Sequence, residues 1–90
     1  MTKALISVTG QDTTGIIARV ATKLSELNIN ILDISQTIVQ EYFNMMMIAD
    51  MEHADASFAQ ISEELEKLGE EIGVRIKCQR EEIFTKMHRI

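Results

Sequence analysis

Hydrophobic and polar positions alternate from Ala4 to Thr9, with Ala4, Ile6 and Val8 on one side and Leu5 and Ser7 on the other, which predicts a first strand. The rhythm then changes. From Thr14 to Leu27 the apolar residues Ile16, Ile17, Val20, Ala21, Leu24 and Leu27 recur at three and four, the stripe of an amphipathic helix, and Asn28 is its expected stop. Alternation returns over Asn30 to Gln40. There Leu32, Ile34, Gln36 and Ile38 share one face, Asp33, Ser35 and Thr37 the other, and the pattern reads as a strand with one face buried. A turn near Gln40-Glu41-Tyr42 leads to Phe43–Met51, apolar on both faces and so expected in the middle of a sheet.

Asp55 is the expected cap of a second helix running to about Gly69, with Phe58, Ile61, Leu65 and Leu68 inward and Glu63, Glu64, Glu66 and Lys67 outward. After Gly73, Val74 to Gln79 alternates strictly and predicts a fourth strand. Residues Glu81 to Ile90 place Ile83, Phe84, Met87 and Ile90 at helical spacing, which predicts a short C-terminal helix. The order β-α-β-β-α-β with right-handed crossovers gives an α+β, ferredoxin-like sandwich: a four-stranded antiparallel sheet with two helices on one face. The other face needs a cover if Phe43, Met45, Met47 and Met51 point that way and Met46 packs under the helices. The C-terminal helix or a second subunit would supply it.

Ninety residues make a single domain that buries only about 60–65% of its unfolded surface, so oligomerisation would add stability. No apolar run approaches the roughly 20 residues of a membrane span, and no leader pattern precedes the first strand. Cys78 is the sole cysteine, which suits a reducing cytoplasm. A net charge of −5 disfavours nucleic acid and anionic lipid as partners. His53 and His88 lack a second ligand at metal-site spacing, and the glutamates of the second helix form a solvated face. Neither a metal nor a cofactor is expected, and no acid, base and nucleophile converge for catalysis.

The joint between the first strand and the first helix, Gly10-Gln11-Asp12-Thr13-Thr14-Gly15-Ile16-Ile17, has the most to say about function. Its glycines and acidic residue serve a turn and a cap. The same loop could hold a small anion, since the first amides of a helix lack internal partners and the dipole favours negative charge there.

Together with Leu24-Ser25-Glu26-Leu27-Asn28-Ile29-Asn30-Ile31 this loop resembles the fingerprint of ACT domains. Ile34-Ser35-Gln36-Thr37, Glu41-Tyr42-Phe43 and the ending Ile83-Phe84 resemble stand-alone bacterial and archaeal members. The resemblance covers essentially the whole chain. It implies a non-enzymatic regulatory module that binds an amino acid or similar metabolite at a subunit interface, as a homodimer or higher homo-oligomer, and reports through assembly or a protein partner. Amides around Thr14, Gly15 and Ile16 would then hold the effector's carboxylate and Asp12 its ammonium, with Ile16 and Ile17 as apolar wall. Asn30 would add its amide across the subunit boundary, and Thr13 and Ile31 complete the set. The plainer alternative is a ligand-free homodimeric interaction module, in which Asp12 caps, Ile17 is core and Asn30 satisfies its own backbone.

Overall fold

The structure, a computed structural model, describes residues 2–11 and 14–80. Asp12, Thr13 and the expected C-terminal helix at 81–90 lie outside the described residues. Six elements follow in order: β1 (Lys3–Gln11), α1 (Ile16–Glu26), β2 (Asn30–Val39), β3 (Tyr42–Asp50), α2 (Phe58–Ile72) and β4 (Val74–Arg80). The strands form one antiparallel sheet in the order β2-β3-β1-β4, the ferredoxin-like arrangement expected from the chain pattern.

Cross-strand partners point to the same face, so the register sorts the sheet into rows. Facing the helices are Ile38–Phe43–Gly10–Val74, Gln36–Met45–Val8–Ile76, Ile34–Met47–Ile6–Cys78 and Ile31–Ala49–Ala4–Arg80. The middle members of these rows join Ile16, Val20 and Leu24 of α1 and Ile61, Leu65 and Leu68 of α2 in one core. The alternation expected on β3 is present but its phase is the reverse of that expected. Met45 and Met47 are 1% and 2% exposed in the core, with Phe43 and Met51 beside them, whereas Met46 is 44% exposed on the outer face opposite Ser7. The partner strand decides the phase: Met45 must sit beside Val8 and Met47 beside Ile6, both wholly buried.

β2 also departs from expectation. An extra residue, Leu32, shifts the register between Ile31 and Asp33, so a bulge interrupts the simple alternation. Ile31 at the start of β2 is partly buried against the core, but beyond the bulge the helices leave Ile34 and Ile38 of the helix-facing rows 45% and 52% exposed, and Val39, on the outer face beside Tyr42, is 62% exposed.

Helix ends explain the remaining shifts. α1 closes in a Schellman motif, with Ile29 N–H donating to Leu24 O at 2.9 Å and Asn28 N–H to Ser25 O at 3.0 Å. Asn28, left-handed at φ 61°, stops the helix as expected and donates through Nδ2 to His53 O at 2.8 Å. α2 is capped by Ser57, not by Asp55: Ser57 Oγ accepts from Gln60 N–H at 3.2 Å, and Gln60 Oε1 accepts from Ser57 N–H at 3.1 Å. A capping box needs Ser and Gln three residues apart, and Asp55 has no such partner. Nor does α2 end at Gly69. It continues to Ile72, and Gly73 terminates it.

Candidate functional site

β1 delivers the chain to the sheet end where Gly10, Phe43 and Ile38 share a row. On the far side of the loop, Gly15 takes φ 89°, a left-handed conformation that any side chain would strain, and α1 begins at the next residue. The first intrahelical bond runs from Arg19 N–H to Gly15 O at 2.9 Å. The amides of Ile16, Ile17 and Ala18 therefore precede it and have no acceptor within the helix. Gly15 has no side chain to cap them. A Cβ added there would meet nothing within 4 Å among the described residues, so the space beside this helix end is open with respect to them.

That space is one end of a cleft of about 220 Å³. Its helix wall is Thr14, Gly15, Ile16, Ile17 and Ala18, and its strand wall is Gln36, Ile38 and Phe43. Ile17 is 40% exposed toward it, so the core position open to it in the sequence belongs to Ile16, which is buried. The cleft lies between the start of α1 and the second half of β2. No Lys, Arg or His lines it among the described residues. A carboxylate entering it would meet backbone amides and the positive end of a helix dipole as its only described cationic character.

Of the residues singled out in the sequence, Thr14, Gly15, Ile16 and Ile17 come together here. Asp12 and Thr13 lie outside the described residues. Asn30 and Ile31 sit at the opposite end of β2, where Asn30 pairs with Asp50, in a separate cleft of about 420 Å³ shared with Asn28 and His53. Ile38 lies eight residue steps along the strand from Asn30, a span of about 26 Å. Within one chain these two ends do not meet. Gln36, Ile38 and Phe43 were not singled out as site residues, although Gln36 carried a signal: it is a polar residue on the apolar face of its strand.

A wider groove, about 650 Å³, runs between α2 and the other edge strand, β4, past Ser62, Glu66 and Arg75. It contains none of the loop residues. Cys78 borders it, and burial pushes its thiol up to about 11, which keeps it protonated at neutral pH. Among the described residues no group of three or more His, Cys, Asp and Glu could hold a metal ion, and no helix is long and apolar enough to cross a membrane.

Comparison with known proteins bears on what such a cleft does. The ACT domain family model matches residues 2–79. A UPF0237 protein of Bifidobacterium longum is 67% identical over 90 residues, covering all of both chains, and one from Methanocaldococcus jannaschii is 51% identical over the same span. Among solved structures, an ACT domain protein from Streptococcus pneumoniae superposes with a TM-score of 0.82 at 41% identity, over 92% of this chain and 93% of that one. With the fold and the helix-end cleft already in place, the chain belongs to the ACT domain family, whose members are regulatory ligand-binding modules.

Proposed function

We propose that this protein is a non-enzymatic cytoplasmic sensor that binds a small amino-acid-like effector in the cleft between α1 and β2 and signals through self-assembly or a partner protein. The observation that carries the reading is the start of α1 at Gly15, without a side-chain cap among the described residues, opening onto a cleft whose strand wall is Ile38, Phe43 and Gln36. An α-amino acid needs donors for its carboxylate, an acceptor for its ammonium and a wall for its side chain. Amides at Ile16 to Ala18 serve the carboxylate, Ile17 and Ile38 the side chain, and Asp12 is assigned the ammonium. At about 220 Å³ the cleft is smaller than the roughly 300–1,000 Å³ usual for drug-sized ligands, which favours a single amino acid over a nucleotide.

Assembly enters through β2. It is an edge strand of ten residues with an exposed apolar row, the kind of edge that pairs with another chain unless blocked. Antiparallel pairing of two β2 edges about a two-fold axis sets the start of one strand beside the end of the other. Asn30 and Ile31 of one subunit would then approach the cleft of its partner, which unites the two halves of the expected site. The ligand-free homodimer rests on the same exposed edge, so the two readings differ only in the cleft.

Calorimetric titration with the common amino acids, run with sedimentation velocity in the presence and absence of the best ligand, distinguishes them. The expected result is a dimer that binds at least one amino acid, with binding lost in Gly15→Val and in Asp12→Ala. Absence of heat with every amino acid, or unchanged affinity in both variants, overturns the sensor and leaves the interaction module.

A further inference from the structure

The reversed phase of β3 changes what the outer face of the sheet requires. With Met45 and Met47 in the core, the register leaves the rows Asp33–Ile48–Leu5–Gln79, Ser35–Met46–Ser7–Lys77 and Thr37–Asn44–Thr9–Arg75 on the side away from both helices. Leu5 is the anomaly. It is only 5% exposed, yet it is no part of the core cluster, which gathers the helix-facing side. Burial fades with distance from its row: Ile48, Gln79 and Ser7 are half-buried, Met46 is 44% exposed, and Thr9, Asn44 and Thr37 are exposed. This is the footprint of a narrow cover. A helix about 10 Å across, laid along rows about 7 Å apart, hides one row and part of the next.

We propose that residues 81–90 form this cover, an amphipathic helix that crosses the outer face from β4 to β2 and seats Ile83 and Phe84 over Leu5 and Ile48 of its own chain. Of the residues outside the described ones, only 81–90 make a run long enough to cross a sheet. The chain leaves β4 at Arg80, one residue beyond Gln79 at the β4 end of the Leu5 row. Ten residues of helix are about 15 Å long, and four strands side by side span about 14 Å. Ile83, Phe84, Met87 and Ile90 fall on one side of such a helix. Charge runs in the same direction. The segment opens on Glu81 and Glu82 and closes with Lys86 and Arg89, while the outer face carries Arg75 and Lys77 on β4 and Asp33 on β2. Laid from β4 to β2, the helix sets acid near base at both ends. A second copy stacked face to face fits less well, because the Thr37–Asn44–Thr9–Arg75 row offers it no apolar surface. The cover leaves the edge of β2 free, so it is compatible with assembly through that strand.

The test is nuclear Overhauser spectroscopy on the whole protein, with a second sample mixed from labelled and unlabelled chains. Contacts from the Phe84 ring to Leu5 and Ile48 methyl groups should be present in the first sample and absent from the inter-chain spectrum of the second. Absence of any contact between 81–90 and these two residues overturns the proposal. Contacts seen only between chains overturn it too, since the cover would then be a partner's. Phe84→Asp should release the helix, so that a soluble paramagnetic agent relaxes the Leu5 methyl groups as strongly as the already exposed Met46 methyl group. Contacts between Ile6 and Met47 report that the sheet survives the substitution. Leu5 relaxation unchanged in Phe84→Asp with the sheet intact also overturns the assignment, and should the variant not fold, the contacts in the unmodified protein decide alone.

Discussion

The chain contains two βαβ halves, β1-α1-β2 and β3-α2-β4, and they seat their helices differently. In the second half α2 starts on the reciprocal Ser57–Gln60 box and lies so close to its strand that a Cβ on Gly69 would stand 2.6 Å from Val74 O. In the first half α1 starts on Gly15 with no side-chain cap among the described residues and leaves Ile34 and Ile38 on the helix-facing side of β2 exposed. The α2 half is closed at its helix end and at Gly69, although a groove of about 650 Å³ opens along the rest of its seam; the α1 half has neither closure among the described residues. A helix end without a cap among the described residues and a cleft beside it each forgo stability, and their coincidence is what marks this end of the sheet as the candidate site.

The sharpest way to break the contrast is at the closed seam. Gly69→Ala puts a methyl group into backbone that cannot yield as a flexible side chain would, and overpacking of this kind costs about 1–3 kcal/mol. For a domain of this size each kcal/mol corresponds to roughly 4–8 °C in Tm, so thermal and urea unfolding should both register it. An unchanged midpoint would mean that α2 slides freely on β4, and the two seams would then be alike.

Next come the helix starts, where the two halves should separate by readout. Gly15→Ala meets no clash, yet forces an L-residue to φ 89° and should cost about 1–2 kcal/mol. Ser57→Ala removes an N-cap and should cost about 1 kcal/mol. Urea unfolding therefore sees both variants, but calorimetric titration with amino acids should respond to Gly15→Ala alone. Equal loss of binding in the two would make it a consequence of stability rather than of the open helix end.

These differences also mark what could be read from the sequence. All six described elements, their order and the sheet class were legible, because each periodic run is long enough to fix its type. The phase of β3 was not. Phe43–Met51 is apolar on both faces, so only its pairing with β1 decides that Met45 goes in and Met46 out. The exposure of β2 was hidden for a related reason: Ile34 and Ile38 look like core, and whether a helix reaches them depends on where α1 leans. The loop half of the candidate site could be found from Gly15 and its neighbours. Phe43 could not, since it joins the cleft through sheet register, and Gln36 offers only the signal of a polar residue on the apolar face of its strand. The Ser57 cap, by contrast, is legible in the Ser-x-x-Gln spacing, a more specific signal than the lone carboxylate of Asp55.

The smallest effect tests what draws α1 away from β2. Two ion pairs tie α1 to α2: Arg19 to Glu71 at 2.7 Å and Lys23 to Glu64 at 2.6 Å. The hydrogen bond from Lys23, reinforced by its charge, holds the Glu64 carboxyl below its ordinary range, and the same bond raises the Lys23 ammonium above its own. A lowered carboxyl pKa contributes stability above the unfolded value that is lost as pH falls through the folded one. A raised ammonium pKa contributes stability below the unfolded value that is lost as pH rises through the folded one. The pair therefore acts across the neutral range and fades at both extremes. Glu64→Gln should lower the urea midpoint slightly near neutral pH, with the difference from the unmodified protein vanishing in acid and in high salt, as surface pairs do. A difference that stays constant from acid to neutral pH would assign the effect to side-chain packing, and α1 would then lean on α2 through its apolar stripe alone.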